Sequence, residues 1–157
     1  MIFCSIDPGK SGALSILNTD CELVAIIDMP LIKNNSQTYI NVLKIVDLLE
    51  AHNVKDVVIE KVGCQGSDSK QSIFTFGKNT GAMESAVACA ASNIQYITPQ
   101  RWKIATGCIK KDKKYPAKRC CDIYGSDLFT GPRGGLLDGR GDAVMIGLAA
   151  IKLGLIK

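Results

Sequence analysis

The chain has 157 residues, 46% hydrophobic and 22% charged, with 19 Lys and Arg against 15 Asp and Glu and a formal net charge of +4. That is the size of one domain, expected over residues 1–157, and it is too apolar for a disordered chain. The longest apolar stretch near the C-terminus, Ala143 to Ile151, covers nine residues, whereas a bilayer span needs about 20, so no membrane anchor is expected.

Met1 to Asp7 is short, apolar and β-prone, and Pro8 to Gly12 is turn chemistry. Ala13 to Leu17 and Glu22 to Asp28 read as two more strands joined at Asn18 to Asp20, so the chain opens with a three-strand antiparallel meander. Pro30 ends it. Ser36 or Thr38 is expected to cap a helix reaching about His52, with Ile40, Leu43, Val46 and Leu49 stepping by three. Asp56 to Glu60 is nearly all apolar, as a buried parallel strand is. Gly63 to Lys70 reads as a polar loop. Gln71 to about Ala91 reads as a helix, with a small-residue seam of Phe74, Gly77, Gly81, Ser85 and Ala88. Ile94 to Ile97 is a short strand, and Thr98-Pro99 opens a helix with Pro at its first position. Lys110 to Tyr124 is expected as a basic helix, Thr130 to Gly135 as a glycine-rich loop, and Asp138 to about Leu153 as the last helix.

This order predicts an α/β fold with a five-stranded mixed sheet, the meander plus parallel strands, flanked by helices. A right-handed crossover would set the strand ending at Glu60 beside the first strand, with Asp7 and Glu60 at the same end. Met1 to Ile6 has no basic lead and meets Asp7 at once, unlike a secretory leader. Seven cysteines, an odd number with no C-x-x-C pair, and a single histidine, His52, suit reduced thiols in a cytoplasmic or other reducing compartment.

Four carboxylates stand out. Asp7 and Glu60 each end an apolar strand, and buried acids are rare unless paired or metal-bound. Asp138 and Asp142 are four apart, which puts both on one face of a helix. Acids meeting in one place repel unless a divalent cation neutralises them, and hard oxygen ligands suit Mg²⁺ or Mn²⁺. Two such ions about 4 Å apart serve phosphoryl chemistry with no histidine. The basic residues are segregated from these acids: Lys110, Lys111, Lys113, Lys114, Lys118 and Arg119 fall within ten residues. Setting the four acids aside leaves 19 basic residues against 11 acidic ones, a net +8. A positive surface around an acidic hole is the footprint of a nuclease, and Lys103, Arg101, Arg133 and Arg140 can extend it. Gly9-Lys10-Ser11 is no phosphate-binding loop, because Cys4 stands where the first glycine belongs and a hairpin is expected to follow.

Ile6-Asp7-Pro8-Gly9-Lys10-Ser11-Gly12-Ala13 resembles the first motif of the RuvC-like Holliday junction resolvases, and Val57-Val58-Ile59-Glu60 resembles the second. Phe76-Gly77 with Gly81-Ala82, then Thr98-Pro99-Gln100-Arg101-Trp102-Lys103, resemble the segments that follow. Asp138-Gly139-Arg140-Gly141-Asp142-Ala143 resembles the closing acidic motif, in a form most similar to the phage-type branch. The matches run in order along nearly the whole chain. The resemblance implies an RNase H-like fold, a homodimer, and Mg²⁺-dependent cleavage of four-way or branched DNA, with two ions per site and Mn²⁺ able to substitute. It implies that Asp7, Glu60 and Asp142 bind metal with Asp138 as the fourth acid, and that Lys103 and one of Lys111 or Lys114 lie near the scissile phosphate. No small-molecule substrate is implied. This chain departs from the family in the four-residue spacing of its last two acids, often three, and in having no aromatic within Gly63 to Lys70, with Phe74 just beyond. The alternatives are a non-catalytic junction-binding module and an RNase H-like nuclease acting on RNA–DNA hybrids.

Overall fold

The computed structural model describes residues 1–35, 37–63 and 69–156. Strands β1 (Ile2–Asp7), β2 (Ala13–Asn18) and β3 (Leu23–Asp28) form the expected meander. A hairpin of β4 (Leu31–Asn34) and β5 (Gln37–Ile40) follows, then α1 (Val42–Ala51), β6 (Asp56–Glu60), α2 (Lys70–Ala90), β7 (Asn93–Ile97) and α3 (Pro99–Thr106). Helix α4 (Tyr115–Tyr124), a 3-10 turn over Ser126–Leu128 and α5 (Asp138–Lys152) complete the order. The main sheet runs β3-β2-β1-β6-β7, with β1–β2 and β2–β3 antiparallel and β1–β6 and β6–β7 parallel. Ile6 pairs with Ile59, so Asp7 and Glu60 end neighbouring strands side by side.

Alternation along the central strands builds a core on each face of the sheet. Cys4, Ile6, Val57 and Ile59 pack under α1 and α2 with Ile45, Leu49, Met83 and Val87. Phe3, Leu17 and Val58 pack on the other face with Trp102, Cys120, Phe129 and the α5 residues Val144 to Ile146. Cys4, Cys108 and Cys120 are buried free thiols, and Cys64 lies outside the described residues. Among the described residues no helix is long and apolar enough to cross a membrane.

Two expected boundaries move. The helix placed from Ser36 or Thr38 starts later, after Asn41, whose side chain accepts from Lys44 N at 3.2 Å. Ser36 itself lies outside the described residues. Thr38, Tyr39 and Ile40 instead pair with Leu31 to Lys33, because β-branched and aromatic side chains suit a pleated ribbon better than a first helical turn. The buried face of α1 is therefore set by Ile45 and Leu49, and Leu43 is 76% exposed. The basic helix expected over Lys110 to Tyr124 is also shorter. Gly107 ends α3 at φ +72 and Lys110 takes φ +58, so Lys110 to Lys114 form a loop. Helix α4 begins only at Tyr115, just ahead of Pro116, whose fixed φ suits a first turn. Residues 64–68 of the expected polar loop lie outside the described residues, and α2 is capped by Ser69, which accepts from Ser72 N at 3.1 Å.

Candidate active site

The acidic residues come from three elements. Asp7 and Glu60 end β1 and β6, while Asp138 and Asp142 lie on the first turns of α5. Helix α5 is drawn onto the sheet by two buried serines. Ser5 and Ser15, opposite each other on β1 and β2, bring their hydroxyls 2.6 Å apart; Ser5 donates to the carbonyl of Ala143 at 2.8 Å, and Ser15, 3.2 Å from the same carbonyl, donates to Ser5. That anchor is one residue from Asp142. Gly139 lets the start of α5 lie directly against the turn after β1: a Cβ there would overlap the Ser11 carbonyl.

The carboxylates feel one another. Burial first, then Asp142 and Glu60, push the Asp7 carboxyl up to about 8. Burial and then Glu60 push Asp142 up to about 6. Lys103 and Lys113 pull both in the opposite direction. Asp138 Oδ1 is buried without a hydrogen-bond partner, and its Oδ2 lies 3.8 Å from Lys113 Nζ. Glu60 is engaged by Trp102, whose Nε1 donates to Oε1 at 2.6 Å. Among the described residues no three His, Cys, Asp or Glu side chains stand close enough to hold a metal ion as placed. The mutual repulsion and the orphaned Asp138 oxygen nevertheless mark a site short of positive charge, and the donors are all hard oxygens, which fits a divalent cation.

Two clefts flank the acids. One, of about 580 Å³, is lined by Asp7, Lys10, Lys113 and Asp138 among others; the second, of about 370 Å³, by Lys103, Lys110, Lys111, Lys113 and Asp142. Lys113 faces both. The basic residues of this stretch have further contacts. Lys111 lies over the Tyr115 ring, Lys118 is 3.7 Å from Asp112, and Arg119 donates to the Thr106 carbonyl at 3.4 Å. Lys114 begins α4 and its backbone N–H is tied to Asp112 at 2.9 Å. Arg140 also lines the first cleft, where it grips Asp28 through Nε and Nη2 at 2.6 and 2.9 Å and donates to the Leu128 carbonyl at 2.8 Å.

No family model and no curated protein matches the chain. Solved structures do. RuvC of T. thermophilus, in complex with a Holliday junction substrate, superposes with a TM-score of 0.67 over 99% of this chain and 96% of that one, at 16% identity. The chain has the fold of the RuvC-type Holliday junction resolvases. The fowlpox virus Holliday junction resolvase superposes at 0.58 over 98% and 99% of the two chains, at 18% identity. The yeast mitochondrial Holliday junction resolvase Ydc2 superposes at 0.55 over 96% of this chain and 77% of that one, at 13% identity. The RNase H-like architecture expected from the motifs is the one found, a resolvase fold with its mixed sheet between helical layers.

Within this resolvase fold, three supports of the site went unread in the sequence. Ser5 and Ser15 interrupt apolar strands, and that interruption was the available signal. Trp102 lies within Thr98 to Lys103, where the sequence alone does not show which polar group its indole meets. Lys113 is one of six basic residues between Lys110 and Arg119, and no signal in sequence sets it apart as the lysine between the two clefts.

Proposed function

We propose that the protein is a divalent-metal-dependent endonuclease that resolves four-way DNA junctions. The observation that carries this reading is the gathering of four carboxylates at one end of a resolvase fold: Asp7 and Glu60 end neighbouring parallel strands, and Asp138 and Asp142 open α5 with a buried Asp138 oxygen left without a partner. Clustered carboxylates with no histidine beside them are hard oxygen donors, and a divalent cation relieves their mutual repulsion.

Asp7, Glu60 and Asp142 would hold the cation, with Asp138 as the fourth ligand. The bound ion supplies a nucleophilic water at neutral pH and neutralises charge on the phosphate. The chain's own part is to bind and orient. Lys103 and Lys113, beside the carboxylates, meet the phosphate that approaches them. Lys10 and the loop Lys110 to Lys114 carry the strand along the two clefts, with Lys118 and Arg119 beyond. These contacts are electrostatic and blind to base sequence.

Junction resolution needs two symmetric incisions, so we propose a homodimer. Supporting this, Phe74, Gly77, Gly81, Ser85 and Ala88 all lie exposed on α2, while Met83, Ala86, Val87 and Ala90 face the core. The small-residue seam is thus free to meet a second copy by a two-fold contact. Replacing Asp7, Glu60 or Asp142 by its amide is expected to abolish cleavage of a synthetic junction while leaving junction binding intact. Cleavage retained in Glu60→Gln overturns the assignment.

A further inference from the structure

Trp102 is the only tryptophan of the chain and is fully buried. Its ring belongs to the core that also holds Phe3, Val58 and Ile97. A buried indole N–H needs an acceptor, and the carboxylate of Glu60 supplies it at 2.6 Å. The contact follows from local register. Glu60 on β6 pairs with Ile97 on β7, and Thr98 next caps α3, accepting from Arg101 N at 3.3 Å. Trp102 then falls one turn into that helix, its own N–H bonded to the Thr98 carbonyl at 3.1 Å, and its carbonyl accepts from the Thr106 hydroxyl at 2.8 Å. The indole is fixed by packing on every side, so the carboxylate takes its orientation from the ring.

We propose that Trp102 is a positioning residue for Glu60: its indole N–H holds Oε1 so that Oε2 is presented to a divalent cation. This rests on the reading of Glu60 as a cation ligand. A carboxylate has about four acceptor sites on its two oxygens, and the indole occupies one of them. At 0% exposure Trp102 touches no solvent; besides Glu60, its ring meets the site at Lys103, whose Nζ lies 5.2 Å from the ring centroid, a contact that a ring of the same shape keeps. Partners that orient a metal ligand commonly carry 10–100-fold in metal affinity.

Having one tryptophan permits a clean test. Growth with β-(3-benzothienyl)alanine replaces residue 102 alone with a ring of the same shape that has sulfur where the N–H was. Mn²⁺ affinity is read by calorimetry and by loss of the free-ion paramagnetic resonance signal, with no DNA present. The substituted protein is expected to bind Mn²⁺ about 10-fold more weakly, and Trp102→Phe, which also lacks the N–H, is expected to follow it. In a Glu60→Ala background the substitution is expected to cost nothing further, because the carboxylate it acts on is gone. Unchanged or tighter Mn²⁺ binding by the substituted protein overturns the inference, as does an equal loss in the Glu60→Ala background. Unchanged Mn²⁺ affinity in Glu60→Ala alone defeats the ligand reading itself, and the inference falls with it.

Discussion

Replacing Asp7 by Asn is expected to stabilise the metal-free protein while destroying its activity. The Asp7 carboxyl is raised from 3.8 to about 8, first by burial and then by Asp142 and Glu60. A raised folded value means that the folded chain keeps a proton the unfolded chain has released. Stability is therefore full below about pH 4 and is lost as pH rises toward 8. At about 1.4 kcal/mol per pH unit, the ceiling on that loss at pH 7 is about 4 kcal/mol. Water in the two open clefts and the shared titration with Asp142 reduce it, and about 1–2 kcal/mol is the expected gain from Asn. For a chain of this size that is about 2–8 °C in melting temperature. Thermal unfolding in EDTA at pH 4 and pH 7 measures it: the gain should appear at pH 7 and vanish at pH 4. Saturating Mg²⁺ should then raise the wild-type melting temperature much more than that of the variant, which has lost a ligand. A variant less stable than wild type at pH 7 in EDTA, or one stabilised equally by Mg²⁺, refutes the reasoning.

Three further expectations concern the surfaces and the packing around the site. Replacing Lys111 and Lys114 by Ala should flatten the salt dependence of junction binding by about one unit per true phosphate contact, and an unchanged slope would return both to a solvated loop. Gly81→Leu should give a folded monomer by light scattering, because a Cβ at Gly81 meets no atom within 4 Å; a variant that still dimerises would place the interface elsewhere. Gly141→Ala should lower the urea midpoint by the equivalent of about 1–3 kcal/mol, since a Cβ there would overlap the Ala117 backbone where α4 crosses α5. A wild-type midpoint would contradict that packing.

The meander and the pairing of the strand ending at Glu60 with the first strand were legible because those strands are short apolar runs closed by turn residues. The hairpin Leu31 to Ile40 was not, because a four-residue run such as Gln37 to Ile40 has too few periods to separate a strand from a first helical turn. Asp7 and Glu60 were conspicuous as charges ending apolar strands, and the shared face of Asp138 and Asp142 follows from helical geometry. What holds these acids in place was hidden, since it joins residues far apart in sequence: Ser5 to Ala143, Trp102 to Glu60. Arg140 shows the same limit. Beside Asp138 and Asp142 in sequence it reads as part of the basic patch, and only the fold brings Asp28, 112 residues away, to its guanidinium.

The central claim is tested most directly by incubating the protein with a strand-labelled synthetic four-way junction, in Mg²⁺ and in EDTA, with duplex, Y-fork and RNA–DNA hybrid in parallel. The account predicts paired, symmetric incisions in the junction with Mg²⁺ only, no comparable cutting of duplex or hybrid, and an Asp142→Asn variant that binds the junction and leaves it whole. Cutting in EDTA, cutting by Asp142→Asn, or equal cutting of the hybrid would contradict it.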